Sequence, residues 1–226
     1  CIKSKTECKT KTLEDLCKGA SCKCCLKEYS CGKSNPDRIV GGAVVNPQNK
    51  YPWQVWLKME GEYQCGGSII NDLYILTAAH CLLDWSTSKI YKKNKVKVVI
   101  ADHNKDSTDD DIAGVTRSIS VEKLIVHEDY KLFSFSKDHD ISLIKLSKSL
   151  DFKSLEILQP VCLPHDDSST YEGKKAVVTG WGYTEGFGFE LPSLLHEVTI
   201  PVLAPDCPGF DTYTYYGYDY DYRDHD

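Results

Sequence analysis

From Ile39 onward the apolar residues of this chain fall in short runs, rich in β-branched and aromatic side chains and separated by turn residues. Residues 53–57, 68–70, 74–77, 96–100 and 141–146 are of this kind. The 3.6-residue spacing of an amphipathic helix is nowhere sustained. Such a chain can hide its apolar surface only by pairing strands, which predicts an all-β fold, an antiparallel barrel or a sandwich. The runs crowd into residues 39–150. After a linker containing Gln159-Pro160-Val161-Cys162-Leu163-Pro164, only residues 176–179 and 196–202 read as further strands.

The flanks follow different rules. Seven of the eleven cysteines lie in the first 31 residues, and bulky apolar side chains in that stretch are nearly confined to Leu13, Leu16 and Leu26. A segment this small cannot fold on hydrophobic burial, so residues 1–30 read as a disulfide-stapled module. Cys1, Cys8, Cys17, Cys22, Cys24 and Cys25 suffice for three bridges, whose connectivity the spacing does not decide. At the other end, residues 206–226 hold six Tyr and six Asp with no aliphatic side chain. Nothing there offsets the entropy of ordering, and the tract reads as a disordered tail.

Cysteine density places the chain in an oxidising compartment, and it reads as secreted and extracellular. No run approaches the roughly 18 apolar residues of a membrane span. Net charge is −6, which argues against a nucleic-acid binder. The basic surplus of residues 1–38, nine basic against five acidic side chains, reads as a solvated face.

Four motifs carry the chemistry, in a fixed order: Arg38-Ile39-Val40-Gly41-Gly42, Thr77-Ala78-Ala79-His80-Cys81, Asp140 opening the run Ile141-Ser142-Leu143-Ile144, and Gly180-Trp181-Gly182. That order resembles the trypsin/chymotrypsin family of secreted serine proteases, over about residues 31–203. The resemblance implies a double β-barrel, with residues 39–150 forming a complete first barrel and residues 151–205 a linker and the start of a second. His80 takes the place of the general base and Asp140 that of the acid that orients it. Asp138 is a rival for the second role; the apolar run directly after Asp140 decides for Asp140. Residues 31–38 become an activation linker, cut between Arg38 and Ile39 by an upstream trypsin-like protease. Disulfides Cys65–Cys81 and Cys31–Cys162 are implied, the second tethering the N-terminal piece after cleavage. Protein or peptide substrates and serpin-type inhibitors follow as partners. The Cys24-Cys25 pair resembles those of knottin-like modules and of the clip domains that precede many arthropod proteases, although its spacing is tighter than a clip domain's.

The family pattern then breaks off. No Gly-Asp-Ser-Gly-Gly occurs, and no serine follows Ser193. Ser68 and Ser193 both lie outside any Gly-x-Ser-x-Gly turn. With the nucleophile go the oxyanion donors, the specificity pocket and the aspartate that would receive the Ile39 ammonium. Cys207 is left without its family partner. We therefore expect a truncated and inactive member of the family; the alternative is a non-catalytic homologue acting as a binding or regulatory protein. No cofactor is expected. The acidic run Asp106, Asp109, Asp110 and Asp111 falls in a loop where some family members bind calcium, and hard oxygen ligands suit that ion.

Overall fold

The computed structural model describes residues 31–34, 43–59, 64–133, 138–164, 169–183 and 191–203. The cysteine-rich module, the Arg38–Ile39 bond, Cys207 and the Tyr/Asp tract lie outside the described residues. Eleven strands and two single 3-10 turns make up the regular structure of the described residues.

Six strands close into an antiparallel barrel: β2 (Gln54–Met59), β3 (Gln64–Ile69), β4 (Tyr74–Thr77), β9 (Ser142–Leu146), β8 (Arg117–Val126) and β7 (Val96–Ile100), in that spatial order. All six come from residues 39–150. Alternation along each strand sends one set of side chains inward. Leu57, Ile69, Ile75, Val96, Val98, Ile100, Ile144 and Leu146 fill the barrel with essentially no exposure. Closure leaves this barrel no free edge for another chain to pair with.

Within this barrel, β3 and β8 are not legible in the sequence at their true length. β3 starts at Gln64, four residues before its apolar run, because Gly66 and Gly67 sit inside it. A Cβ at Gly67 would come within 2.9 Å of Ile75 Cγ2 and 3.0 Å of the Leu76 carbonyl oxygen. β8 is absent from the sequence reading altogether. Its pairing with β9 shifts register between Val121 and Lys123, which breaks the period-two pattern on which such a reading depends.

A second, open sheet has the order β1 (Ala43–Val44), β11 (His196–Pro201), β10 (Lys175–Gly180). β1 thus leaves the first barrel's stretch of sequence to pair with β11, Ala43 opposite Glu197. Val177, Val178, Val198 and Ile200 of this sheet remain 37–50% exposed. β5 (Leu83–Asp84) and β6 (Lys89–Ile90) form a small separate ribbon.

Barrel and sheet share a second core of Val45, Tyr51, Trp56, Val99, Trp181 and Leu195. Trp181 donates its ring N–H to the His103 carbonyl at 3.1 Å, and Leu195 N–H donates to the same oxygen at 2.9 Å. Beside this core Lys50 Nζ lies 2.8 and 2.9 Å from the two carboxylate oxygens of Glu197. Tyr51 also donates its hydroxyl to Glu197. Lys50 and Glu197 are 8% and 4% exposed, so each charge depends on the other. Replacing Lys50 by Met strands the Glu197 carboxylate and should cost about 3–5 kcal/mol in urea unfolding, whereas Lys50→Met with Glu197→Met should recover most of that loss.

Candidate active site

β4 ends at Thr77, and the chain turns through Ala78 and Ala79 into a 3-10 turn, His80–Leu82. β9 begins at Ser142, directly opposite Thr77. His80 is three residues past one end of this pair and Asp140 two residues before the other, so antiparallel pairing brings them to the same rim of the barrel across 60 residues of sequence. Ser142 fixes the corner by donating its hydroxyl to the Ala78 carbonyl at 2.8 Å.

The two side chains meet closely. Asp140 Oδ2 lies 2.7 Å from His80 Nδ1, and Asp140 Oδ1 accepts the His80 backbone N–H at 2.8 Å. With both oxygens engaged, the carboxylate holds the imidazole's position and favours a proton on Nδ1. Burial of Asp140 works against its ionisation. Hydrogen bonds from the His80 backbone and ring, attraction to the ring and a bond from the Ala79 N–H outweigh that burial and hold Asp140 below the usual carboxylate range. The carboxylate is therefore anionic at neutral pH. His80 Nε2 points away from Asp140 and lies 3.6 Å from Cys81 Sγ. Asp138, the rival by sequence, is exposed, and it is Asp140 that meets the histidine.

Cys65 of β3 is bonded to Cys81, the residue after His80. The bridge therefore ties the histidine's turn to the barrel wall. Cys31 is bonded to Cys162 in the linker, and Gly32 N–H donates to the Pro160 carbonyl at 2.9 Å. Next to the Cys65 bridge, a cleft of about 220 Å³ opens between the barrel and the second sheet, lined in part by Trp56, Gly66, Trp181, Gly182 and Leu191.

Among the described residues no serine hydroxyl hydrogen-bonds His80 Nε2. Ser193 donates its hydroxyl to Asp106 instead. The one group of three metal-type ligands that converges among the described residues is Cys65, His80 and Cys81, and both sulfurs are already joined to each other. In the acidic loop Asp106, Asp109 and Asp111 are exposed. The residue that the sequence reading overlooks is Asp102. Its Oδ1 and Asp110 Oδ1 are buried without a hydrogen-bond partner. Burial first, then the charges of Asp110, Asp111 and Asp106, push the Asp102 carboxyl up to about 6. Two partnerless carboxylate oxygens in one loop fit a hard cation better than the solvent-facing members of the run do.

Removing the bridge beside His80 with Cys65→Ala and Cys81→Ala should lower stability by about 3 kcal/mol, given the short loop it closes. The shift in urea midpoint measures the loss.

The sequence profile of the Trypsin family matches residues 39–221. CLIP domain-containing serine protease B4 of Anopheles gambiae is 32% identical over 188 residues, covering 79% of this chain and 51% of that protein. Trypsin II-P29 of Gallus gallus is 34% identical over 173 residues, 76% of this chain and 61% of its own length. Venom serine protease 34 of Apis mellifera is 33% identical over 195 residues, 83% of this chain and 44% of its own. The chain thus spans about half the length of the curated relatives it matches. With a closed six-stranded barrel, a histidine and aspartate in contact at its rim, and a profile match over most of its length, the chain belongs to the trypsin family of serine proteases.

Proposed function

We propose that this chain carries the base-and-acid half of a secreted, trypsin-like endopeptidase zymogen, with His80 as general base and Asp140 as the residue that orients it. The observation that carries the reading is the 2.7 Å contact between His80 Nδ1 and Asp140 Oδ2. In peptide hydrolysis His80 Nε2 takes the proton of an attacking hydroxyl and then passes it to the leaving amine. Asp140 keeps the Nδ1–H tautomer and stabilises the imidazolium formed between those steps. Protein or peptide substrates follow from that chemistry. The disulfides support an oxidising, extracellular setting.

Activation by a trypsin-like protease at Arg38–Ile39 is part of the same proposal, with Cys31–Cys162 keeping the released piece attached. The cation that suits Asp102 and Asp110 is calcium, which those two residues would hold as a structural ion with no part in hydrolysis.

Within these 226 residues no serine stands in a nucleophile turn. These 226 residues are therefore inactive in this reading: losing a serine nucleophile costs about six orders of magnitude in a related mechanism, roughly 8 kcal/mol of barrier. Limited trypsin digestion should cut after Arg38 and leave one species on a non-reducing gel that separates into two on reduction. The cut product should hydrolyse no peptide ester and take up no fluorophosphonate at a protease-like rate. Rapid labelling of any serine contradicts the assignment of inactivity, and two free fragments without reductant contradict the tether.

A further inference from the structure

Of the nine residues from 89 to 97, five are lysines: Lys89, Lys92, Lys93, Lys95 and Lys97. Asp84 is the only acid among residues 73–101, in a protein whose net charge is −6. The structure places this run on the β5–β6 ribbon, the turn that follows it and the start of barrel strand β7. Lys89 begins β6, Lys92 precedes the 3-10 turn Lys93–Lys95, and that turn runs directly into β7. Inward-facing Val96 and Val98 are fully buried, so alternation turns Lys97 outward. Its cross-strand neighbour on β2 is another exposed lysine, Lys58.

Like charges directly opposite each other weaken a sheet, and no acid relieves this pair among the described residues. Lys58 Nζ sits 5.7 Å from the Trp56 ring centroid, and Lys97 donates to Ser120 Oγ at 2.8 Å. Asp84 lies across from Lys89 in the ribbon, a single carboxylate against the lysines of this run. Glu60 and Glu62 follow Lys58 in sequence, outside the described residues; they are two acids against six lysines.

We propose that Lys58, Lys89, Lys92, Lys93 and Lys97 form an exosite for a sulfated polysaccharide, apart from the His80–Asp140 pair. These lysines come from the ribbon, the residues at the 3-10 turn and two strands, so they are spread over several elements instead of lining one pocket. That arrangement suits an extended polyanion and not a single small anion. Short lysine-rich runs are a recurrent heparin-type patch. Lysine meets a sulfate as a flexible point charge and needs no fixed fork geometry. The disulfides place the chain outside the reducing cytosol, where sulfated sugars, not nucleic acids, are the extended polyanions at hand. Binding would hold the protein on an extracellular matrix.

Calorimetric titration of the full chain with a heparin octasaccharide tests this. Binding should weaken steeply with salt. Lys92→Gln, Lys93→Gln and Lys97→Gln together should reduce affinity about tenfold or more. Removing the same charge elsewhere with Lys153→Gln, Lys174→Gln and Lys175→Gln should leave affinity within about twofold. Lysine acetylation of the unsubstituted chain, read by mass spectrometry, gives a second measurement independent of any folding defect. The octasaccharide should protect Lys58, Lys89, Lys92, Lys93 and Lys97 and leave Lys174 and Lys175 reactive. Undiminished binding by the patch variant, or protection confined to the lysines of residues 1–38, overturns the proposal. Equal affinity for a desulfated octasaccharide, or for single-stranded DNA of matched charge, overturns it as well.

Discussion

The pairing of β4 with β9 performs two tasks. It closes the six-stranded barrel, and its last pair, Thr77 opposite Ser142, sets where the loops leave on each side. His80 and Asp140 are carried on those loops, so their 2.7 Å contact is a consequence of register. A slip of one residue would turn Ile75 and Ile144 from the core to solvent, because side chains alternate along a strand. The buried isoleucines therefore protect the site's geometry as well as the fold. Three local devices tighten it: the Ser142 hydroxyl on the Ala78 carbonyl, the His80 N–H on Asp140 and the Cys65–Cys81 bridge.

The second sheet is attached to this barrel through an interface that mixes apolar and ionic contacts. Trp181 and Leu195 pack on Tyr51, Trp56 and Val99, while the acidic loop meets residues 193–195 through main-chain bonds such as Lys105 N–H to the Ser193 carbonyl at 3.0 Å. Lys50 and Glu197 put a charge from each half into the same buried place. An ion pair so enclosed contributes little net stability but penalises any arrangement that separates its partners. It links the stretch before β2 to β11, the same two regions that β1 and β11 join by main-chain pairing.

Much of this is legible in the sequence because the signals are local. Val96-Lys97-Val98-Val99-Ile100 is a short β-branched run of the kind strands favour, and the motif around His80 places a histidine beside a cysteine that needs a partner. β8 is not legible, since its bulge shifts the alternation midway. The glycines of β3 also hide a strand: Gly67 has no side chain because Ile75 and the Leu76 carbonyl occupy the space. Asp102 escapes notice for another reason. Nothing in its neighbours announces burial, which arises when its loop packs on the Trp181 and Leu195 region far along the chain. The exposure of Val177 and Val178 on β10 is likewise a property of the assembled sheet, which no local pattern encodes.

Asp140, positioned by the closing register of the barrel, fixes the proton of His80 on Nδ1. Nitrogen-15 NMR of the His80 imidazole in the unsubstituted chain and in Asp140→Asn measures this directly, and it needs no catalytic turnover. The uncharged form of the imidazole should carry its proton on Nδ1 in the parent and shift toward the Nε2–H tautomer in the variant, where the introduced side-chain amide can donate to Nδ1. The same tautomer in both chains would contradict it, because the contact between His80 and Asp140 would then have no hold on the proton that the proposed mechanism requires.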